Sequence, residues 1–247
     1  MRVAVAGGTG VVGSRVVEAL RADGHDAVAL SRRTGVDLST GDGLDAAVAG
    51  VDAVVDTSNV STLSADAAIR FFQTATGNLV SASARAGVPH LVLLSIVGID
   101  RMAHDYYAGK LAQERVVEAS QVPWTILRAT QFHEFAGQLF DRAKLGPLHL
   151  APRARVQPIA ARDVGARLAA LATGAPQGRT ADLAGPREEA MDQMVKAYAR
   201  RTGHRGWVPS VSLPGAQMKA MRAGLALPGS DAVLTTQTFA DWLSDLN

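Results

Sequence analysis

Tyr106 and Lys110 stand four residues apart, so on a helix both side chains leave the same face. An ammonium beside a phenol favours the phenolate and lowers its pKa, which makes the tyrosine a better acid/base near neutrality. Ser95 lies at the end of an apolar run that reads as a strand. Its hydroxyl is therefore expected at the end of a sheet, where it orients a substrate oxygen against that phenol. With a nicotinamide ring to give or accept a hydride, the three groups describe carbonyl reduction or alcohol oxidation. Such pairs also arise by chance. The plainer alternative keeps Tyr107 in the core, leaves Tyr106 a half-buried surface ring, and gives Lys110 only a cofactor ribose to hold.

A dinucleotide site is written at the start of the chain. An apolar strand at 3–6 runs into glycines at 7, 10 and 13, and a patterned helix follows. Gly7 allows the tight turn, Gly10 lets the backbone approach a pyrophosphate, and Gly13 lets the helix pack closely on the strand. The phosphates are expected on free N–H groups around Thr9, Val11 and Val12 at the helix N-terminus. After the strand at 27–30 come Ser31, Arg32 and Arg33, with no carboxylate where an NAD-preferring protein holds the ribose hydroxyls. A hydroxyl and two guanidinium groups suit a 2′-phosphate, so the expected cofactor is NADP, with NAD the alternative. In so arginine-rich a chain, both arginines are otherwise ordinary surface residues. Asp37 either meets the adenine edge or caps a turn. Ser58 and Asn59 either touch the cofactor or make turn hydrogen bonds.

Strands are expected at 3–6, 27–30, 36–38, 53–55, 91–94 and 124–127, with helices at 11–22, 64–86 and 104–120 and a helical turn at 44–49. This alternation defines an α/β fold, a Rossmann-like doubly wound parallel sheet. The continuous apolar runs of the later strands mark them as covered on both faces. Beyond about residue 130 the pattern loosens. Helices are expected at 132–143, 163–172 and 191–201, short strands at 156–160 and 181–183, and a break at Gly146 and Pro147. These later elements are expected to form a small C-terminal substrate lobe over the sheet edge, within a single domain spanning 1–247. Phe132 and His133 follow the 124–127 strand at that edge. They are candidates to wall the nicotinamide and the substrate, with His133 a second acid/base or hydrogen-bond donor unless its role is structural. Trp207, Met218, Met221 and Trp242 either line an apolar pocket or fill core.

Composition narrows the chemistry further. The chain of 247 residues has no cysteine, which excludes disulfides, thiol catalysis and cysteine-based metal sites. Its six histidines are scattered without ligand spacing, so no metal site is expected. A formal net charge of +2 without a basic stripe argues against nucleic acid as a partner. No segment reads as a signal peptide or a membrane span. A cytoplasmic protein is expected, monomer or homodimer, whose partner is a small-molecule substrate.

Taken together, these motifs resemble the short-chain dehydrogenase/reductase superfamily, and within it the atypical NmrA-like branch. The resemblance runs over nearly the whole length. It rests on the glycine motif from Gly7 to Gly13, on Ser95 to Gly98, on Tyr106 to Lys110 with Gln113 and Glu114, on Pro123 to Phe132, and on Val156 to Ile159 before Asp163 and Val164. It implies a Rossmann-like fold that binds NAD(P), with Ser95, Tyr106 and Lys110 at the family's serine, tyrosine and lysine positions. Tyr106 follows Ser95 by eleven residues, slightly fewer than the common spacing, and Ala6 stands where many relatives have threonine. The branch includes oxidoreductases, tailoring enzymes of aromatic polyketides or quinones, and redox-sensing regulators that bind cofactor without turning it over. The regulators commonly lack the tyrosine.

Overall fold

Small and β-branched residues open the chain as strand β1 (Arg2–Ala6), whose side chains alternate between two buried faces. The structure, a computed structural model, describes residues 1–146 and 148–246. After β1 the chain alternates through α1 (Val11–Ala22), β2 (Asp26–Leu30), α2 (Leu44–Val48), β3 (Ala53–Asp56), α3 (Ala65–Arg85), β4 (Leu91–Ile96), α4 (Asp105–Glu118) and β5 (Trp124–Ala129). These strands pair in parallel in the order β2-β1-β3-β4-β5. Leu183–Ala184 and Val233–Leu234 extend the sheet past β5, and Gly178–Arg179 also pairs with β5.

Both faces are covered, as the apolar strand pattern requires. Val3, Val5, Val55, Val92 and Leu127 pack against Val16 and Leu20 of α1 and against Val164 and Leu168 of α6 (Ala161–Ala172). On the other face, Ala4, Ala6 and Val54 meet Leu44 and Val48 of α2 and Leu79 of α3. Leu91, Leu93 and Ile126 meet Val117 of α4. The chain leaves β1 toward β2 on one side and later returns to place β3 on the other. The crevice beyond the C-terminal ends of β1 and β3 is thus the switch point at which such sheets bind ligands.

One expected strand is absent. Residues 36–38 form a loop, although Val36 is buried in the α2/α3 face. The Asp37 carboxylate accepts from Ser39 N at 2.8 Å, which makes the segment a turn. The Asn78 side chain of α3 donates to the Leu38 carbonyl at 2.9 Å, where a neighbouring strand would otherwise bond. Valine and leucine two apart imitate strand alternation here, but they anchor a loop.

Beyond β5 the elements are α5 (Phe135–Arg142), α6, α7 (Met191–Arg201), α8 (Ala216–Arg222) and α9 (Phe239–Ser244). The strand expected at 156–160 is reduced to Arg155–Val156, paired antiparallel with Glu189–Ala190. The strand expected at 181–183 is Leu183–Ala184. Lys144–Leu145 pairs antiparallel with Leu148–His149 around the expected break, and Pro147 itself lies outside the described residues. Met221 is core, and Met218 and Trp242 pack partly buried in the same cluster. Trp207 is 73% exposed and does not fill core.

Candidate active site at the C-terminal edge of the sheet

The glycine motif folds as its chemistry demands. Gly7 has φ +71°, which frees it to turn the chain, and a Cβ there would lie 2.7 Å from the Thr57 carbonyl oxygen. At Gly13 a Cβ would be driven into the Gly7 carbonyl and to 2.7 Å from Thr57 Oγ1. Gly10 differs from both. A Cβ there would meet only the Gly7 carbonyl oxygen, at 3.2 Å, a tight contact that a shift of a few tenths of an ångström relieves. Gly10 is also the N-cap of α1, no side chain caps it, and the first turn holds no acidic residue. The N–H groups of Val11, Val12 and Gly13 therefore stay open to an anion, with the exposed backbone of Thr9 beside them. The cradle fits a pyrophosphate, and Val11, 46% exposed, lies at its mouth.

Ser31 caps a short 3-10 turn, Arg32–Thr34, at the end of β2. Arg32 and Arg33 are exposed, and among the described residues neither side chain has an ion pair or hydrogen bond. Asp37 spends one carboxylate oxygen on its turn. Ser58 is buried, its N–H donating to Asp56 Oδ1 at 2.9 Å. Asn59 is exposed in the crevice.

Tyr106 sits in the first turn of α4, immediately after Asp105, whose φ of +48° is strained for a residue with a side chain. Its phenol donates to Asn59 Oδ1 at 2.7 Å, bringing two expected site residues together across the crevice. The ring packs edge-on against Phe72 and Tyr107. Lys110, one turn on, points inward. Its ammonium donates to the Leu94 carbonyl at 2.7 Å and to Gln113 Oε1 at 2.5 Å, and lies 4.9 Å over the Phe72 ring.

This geometry corrects the expected electrostatics. Burial is the main influence on both groups, raising the Tyr106 phenol well above its usual range with a smaller push from Tyr107. Burial also presses Lys110 down to about 8, against the pull of Asp56 and Glu114. Lys110 therefore does not lower the Tyr106 pKa in this arrangement, and the phenol is neutral at physiological pH. Ser95 is buried too. Its Oγ lies beside Glu114 on the α4 side, enclosed near the edge where it is expected to orient a substrate oxygen. Burial pushes the Glu114 carboxyl up, but the bidentate Arg128 guanidinium, helped by Ser95 and Arg179, holds it below its ordinary value.

His133 is corrected as well. It is fully buried, with Nε2 3.3 Å from the Gln237 carbonyl and its ring 5.8 Å from both Phe239 and Trp242. Burial lowers its pKa, against a smaller pull from the Gln237 carbonyl, and favours the neutral ring. Phe132 is partly buried against the α1/α6 face. Sequence reasoning missed Asp56, Thr76, Gln113, Phe72 and the Tyr107–Gln131 pair. Gln131 donates to Tyr107 Oη at 3.2 Å beside the apolar cluster of Ile99, Met102 and Met221. Only Gln113 carried a signal, because it lies three residues after Lys110 on the same helix.

A Rossmann-type crevice with an open phosphate cradle and a tyrosine and lysine above it defines an NAD(P)-binding α/β protein. A family model described as NAD(P)H-binding matches residues 7–173, and the chain belongs to that family. No curated protein matches. Among solved structures, the fold is similar to that of the NADPH-dependent quinone oxidoreductase QOR2 from Escherichia coli in complex with NADPH. That match has 18% identity and a TM-score of 0.73 over 98% of each chain. It is also similar to MoeE5 in complex with UDP-glucose and NAD, at 19% identity and TM-score 0.72, covering 99% of this chain and 92% of that one. The triphenylmethane reductase of Citrobacter sp. with NADP(H) aligns at 18% identity and TM-score 0.66, over 94% of this chain and 93% of that one. These neighbours share the chain's α/β fold, a parallel sheet with helices on both faces. No helix among the described residues is long and apolar enough to cross a membrane.

Proposed function

We propose that this chain is an NADPH-dependent oxidoreductase that reduces a small apolar or aromatic carbonyl or quinone, with Tyr106 as the proton donor. The reading is carried by the neutral Tyr106 phenol at the crevice mouth, between Asn59 and the apolar cluster of Ile96, Ile99 and Met102. When bound in the cradle, NADPH would supply the hydride that the acceptor takes up. Tyr106 would give its phenol proton to the oxyanion that develops and regain one from solvent, so a ketone would leave as an alcohol, and a quinone as a hydroquinone once the ring carbon that took the hydride has lost its proton by tautomerisation. Lys110 holds the cofactor ribose through its remaining N–H. Structural neighbours that reduce quinones and triphenylmethane dyes make flat apolar acceptors the first class to try.

A structure with NADPH bound tests the assignment. It should place Tyr106 Oη over the nicotinamide and Arg32 or Arg33 on the 2′-phosphate, and a phenol facing away from the ring would remove Tyr106 from the reaction. In solution, Arg32→Glu with Arg33→Glu should weaken NADPH binding by about tenfold to a hundredfold, the value of one or two charge-assisted hydrogen bonds. NADH affinity should hold or improve, and equal losses for both cofactors would count against the 2′-phosphate reading. A second reading, a cofactor-binding redox sensor without turnover, is favoured by one observation: Tyr106 is tied to Asn59 while Lys110 is turned inward.

A further inference from the structure

A buried carboxylate beneath Lys110 has no part in the reaction above. Asp56 ends β3 and is completely buried. Its Oδ1 accepts from Ser58 N, and its Oδ2 accepts from Thr76 Oγ1 and Gln113 Nε2, each at 2.9 Å. Gln113 Nε2 also reaches Thr76 Oγ1 at 2.9 Å, which fixes the amide so that its oxygen faces Lys110 Nζ. Among the described residues, no lysine, arginine or histidine lies within ion-pair distance of Asp56. A fully buried carboxylate without a cation is costly, and so is a buried ammonium without an anion.

The surroundings of Lys110 leave one candidate for that anion. From α3 it faces the Phe72 ring, from β4 the Leu94 carbonyl, and from α4 Gln113 and Glu114. Glu114 is committed to two other cations, Arg128 at 2.8 Å and Arg179 at 2.7 Å. Asp56 is free of such a claim and is joined to Lys110 by a single amide.

We propose that Asp56, acting through Gln113, is the countercharge and positioning group for Lys110, keeping the ammonium charged in an apolar setting and turned to the Leu94 carbonyl. The relay then leaves the third N–H of Lys110 to the cofactor. That last consequence rests on Lys110 being a ribose ligand, and the charge relay does not.

The chain has only four lysines, Lys110, Lys144, Lys196 and Lys219, so carbon-13 labelling at lysine Cε and NMR titration of the purified protein can follow each one. Lys110→Met assigns the Lys110 signal. Asp56→Asn should lower the Lys110 pKa by about one unit, as expected for losing a nearby opposite charge, without moving the other three. Gln113→Met should also lower it, and serves if Asp56→Asn does not fold. NADPH affinity should fall several-fold in these variants above neutral pH and recover at lower pH as Lys110 is reprotonated. A Lys110 titration unchanged in the folded variants overturns the relay. A shifted titration in a protein that turns over no acceptor leaves the relay standing and removes the reductase reading.

Discussion

Replacing Tyr106 with phenylalanine is expected to cut turnover by at least about a hundredfold while NADPH affinity stays within about twofold of wild type. The ring edges against Phe72 and Tyr107 survive the substitution, and the only hydrogen bond lost is the one to Asn59 at the exposed crevice. A large stability effect is therefore not expected, and lost activity can be read as a lost proton. The pH profile adds a second check. Because burial raises the phenol pKa, Tyr106 remains a proton donor throughout the neutral range. Lys110 is charged below about 8 and loses its proton above it, so cofactor-dependent activity should decline as pH rises through that value. Steady-state rates across pH, with cofactor affinity measured alongside, separate the two groups: phenylalanine at 106 lowers kcat at every pH, and methionine at 110 removes the alkaline decline.

The second large effect lies in the cradle, where two glycines three residues apart should fail in different ways. Gly13→Ala drives a Cβ into the Gly7 carbonyl and against Thr57, both on the wall of the cofactor turn. Neither neighbour is a flexible chain end, so α1 must move off β1. The expected cost is about 2 kcal/mol or more, the range for overpacking a tight core contact, with cofactor binding lost as well. Gly10→Ala meets only one oxygen, at 3.2 Å, which needs a shift of a few tenths of an ångström, and its φ of −83° suits any residue. Its thermal unfolding should stay near wild type, yet NADPH binding should drop about tenfold or more, because the methyl group occupies the space of the pyrophosphate. Thermal melts and fluorescence titrations of both variants check this. A Gly10→Ala protein that still binds NADPH like wild type would show that the phosphates do not lie against this turn.

The contrast between these glycines also shows what was legible in the sequence. The turn, the close helix–strand contact and the open helix N-terminus are local demands, each met within seven residues, so a pattern of three glycines reveals them. The parallel sheet was legible for a similar reason, since strands covered on both faces read as continuous apolar runs. The loop at 36–38 was misread because its decisive contacts, Asn78 to the Leu38 carbonyl and the Asp37 turn, come from α3 and from a side chain that strand alternation does not weigh. Lys110 stands out in the sequence by its spacing from Tyr106, but its direction does not. Its partners, Leu94, Gln113 and through it Asp56, come from three elements that only the sheet brings together. Ser95 and His133 show the same limit: position at a strand end is visible in sequence, and enclosure by Glu114, Phe239 and Trp242 is not.

The central claim is that the crevice turns NADPH over. Its most direct measurement follows nicotinamide absorbance when purified wild-type protein, shown by titration to bind NADPH, is given a panel of apolar quinones and aromatic ketones. The account predicts acceptor-dependent loss of that absorbance in wild type. Saturable NADPH binding without oxidation by any acceptor in the panel would contradict it and leave the chain a sensor.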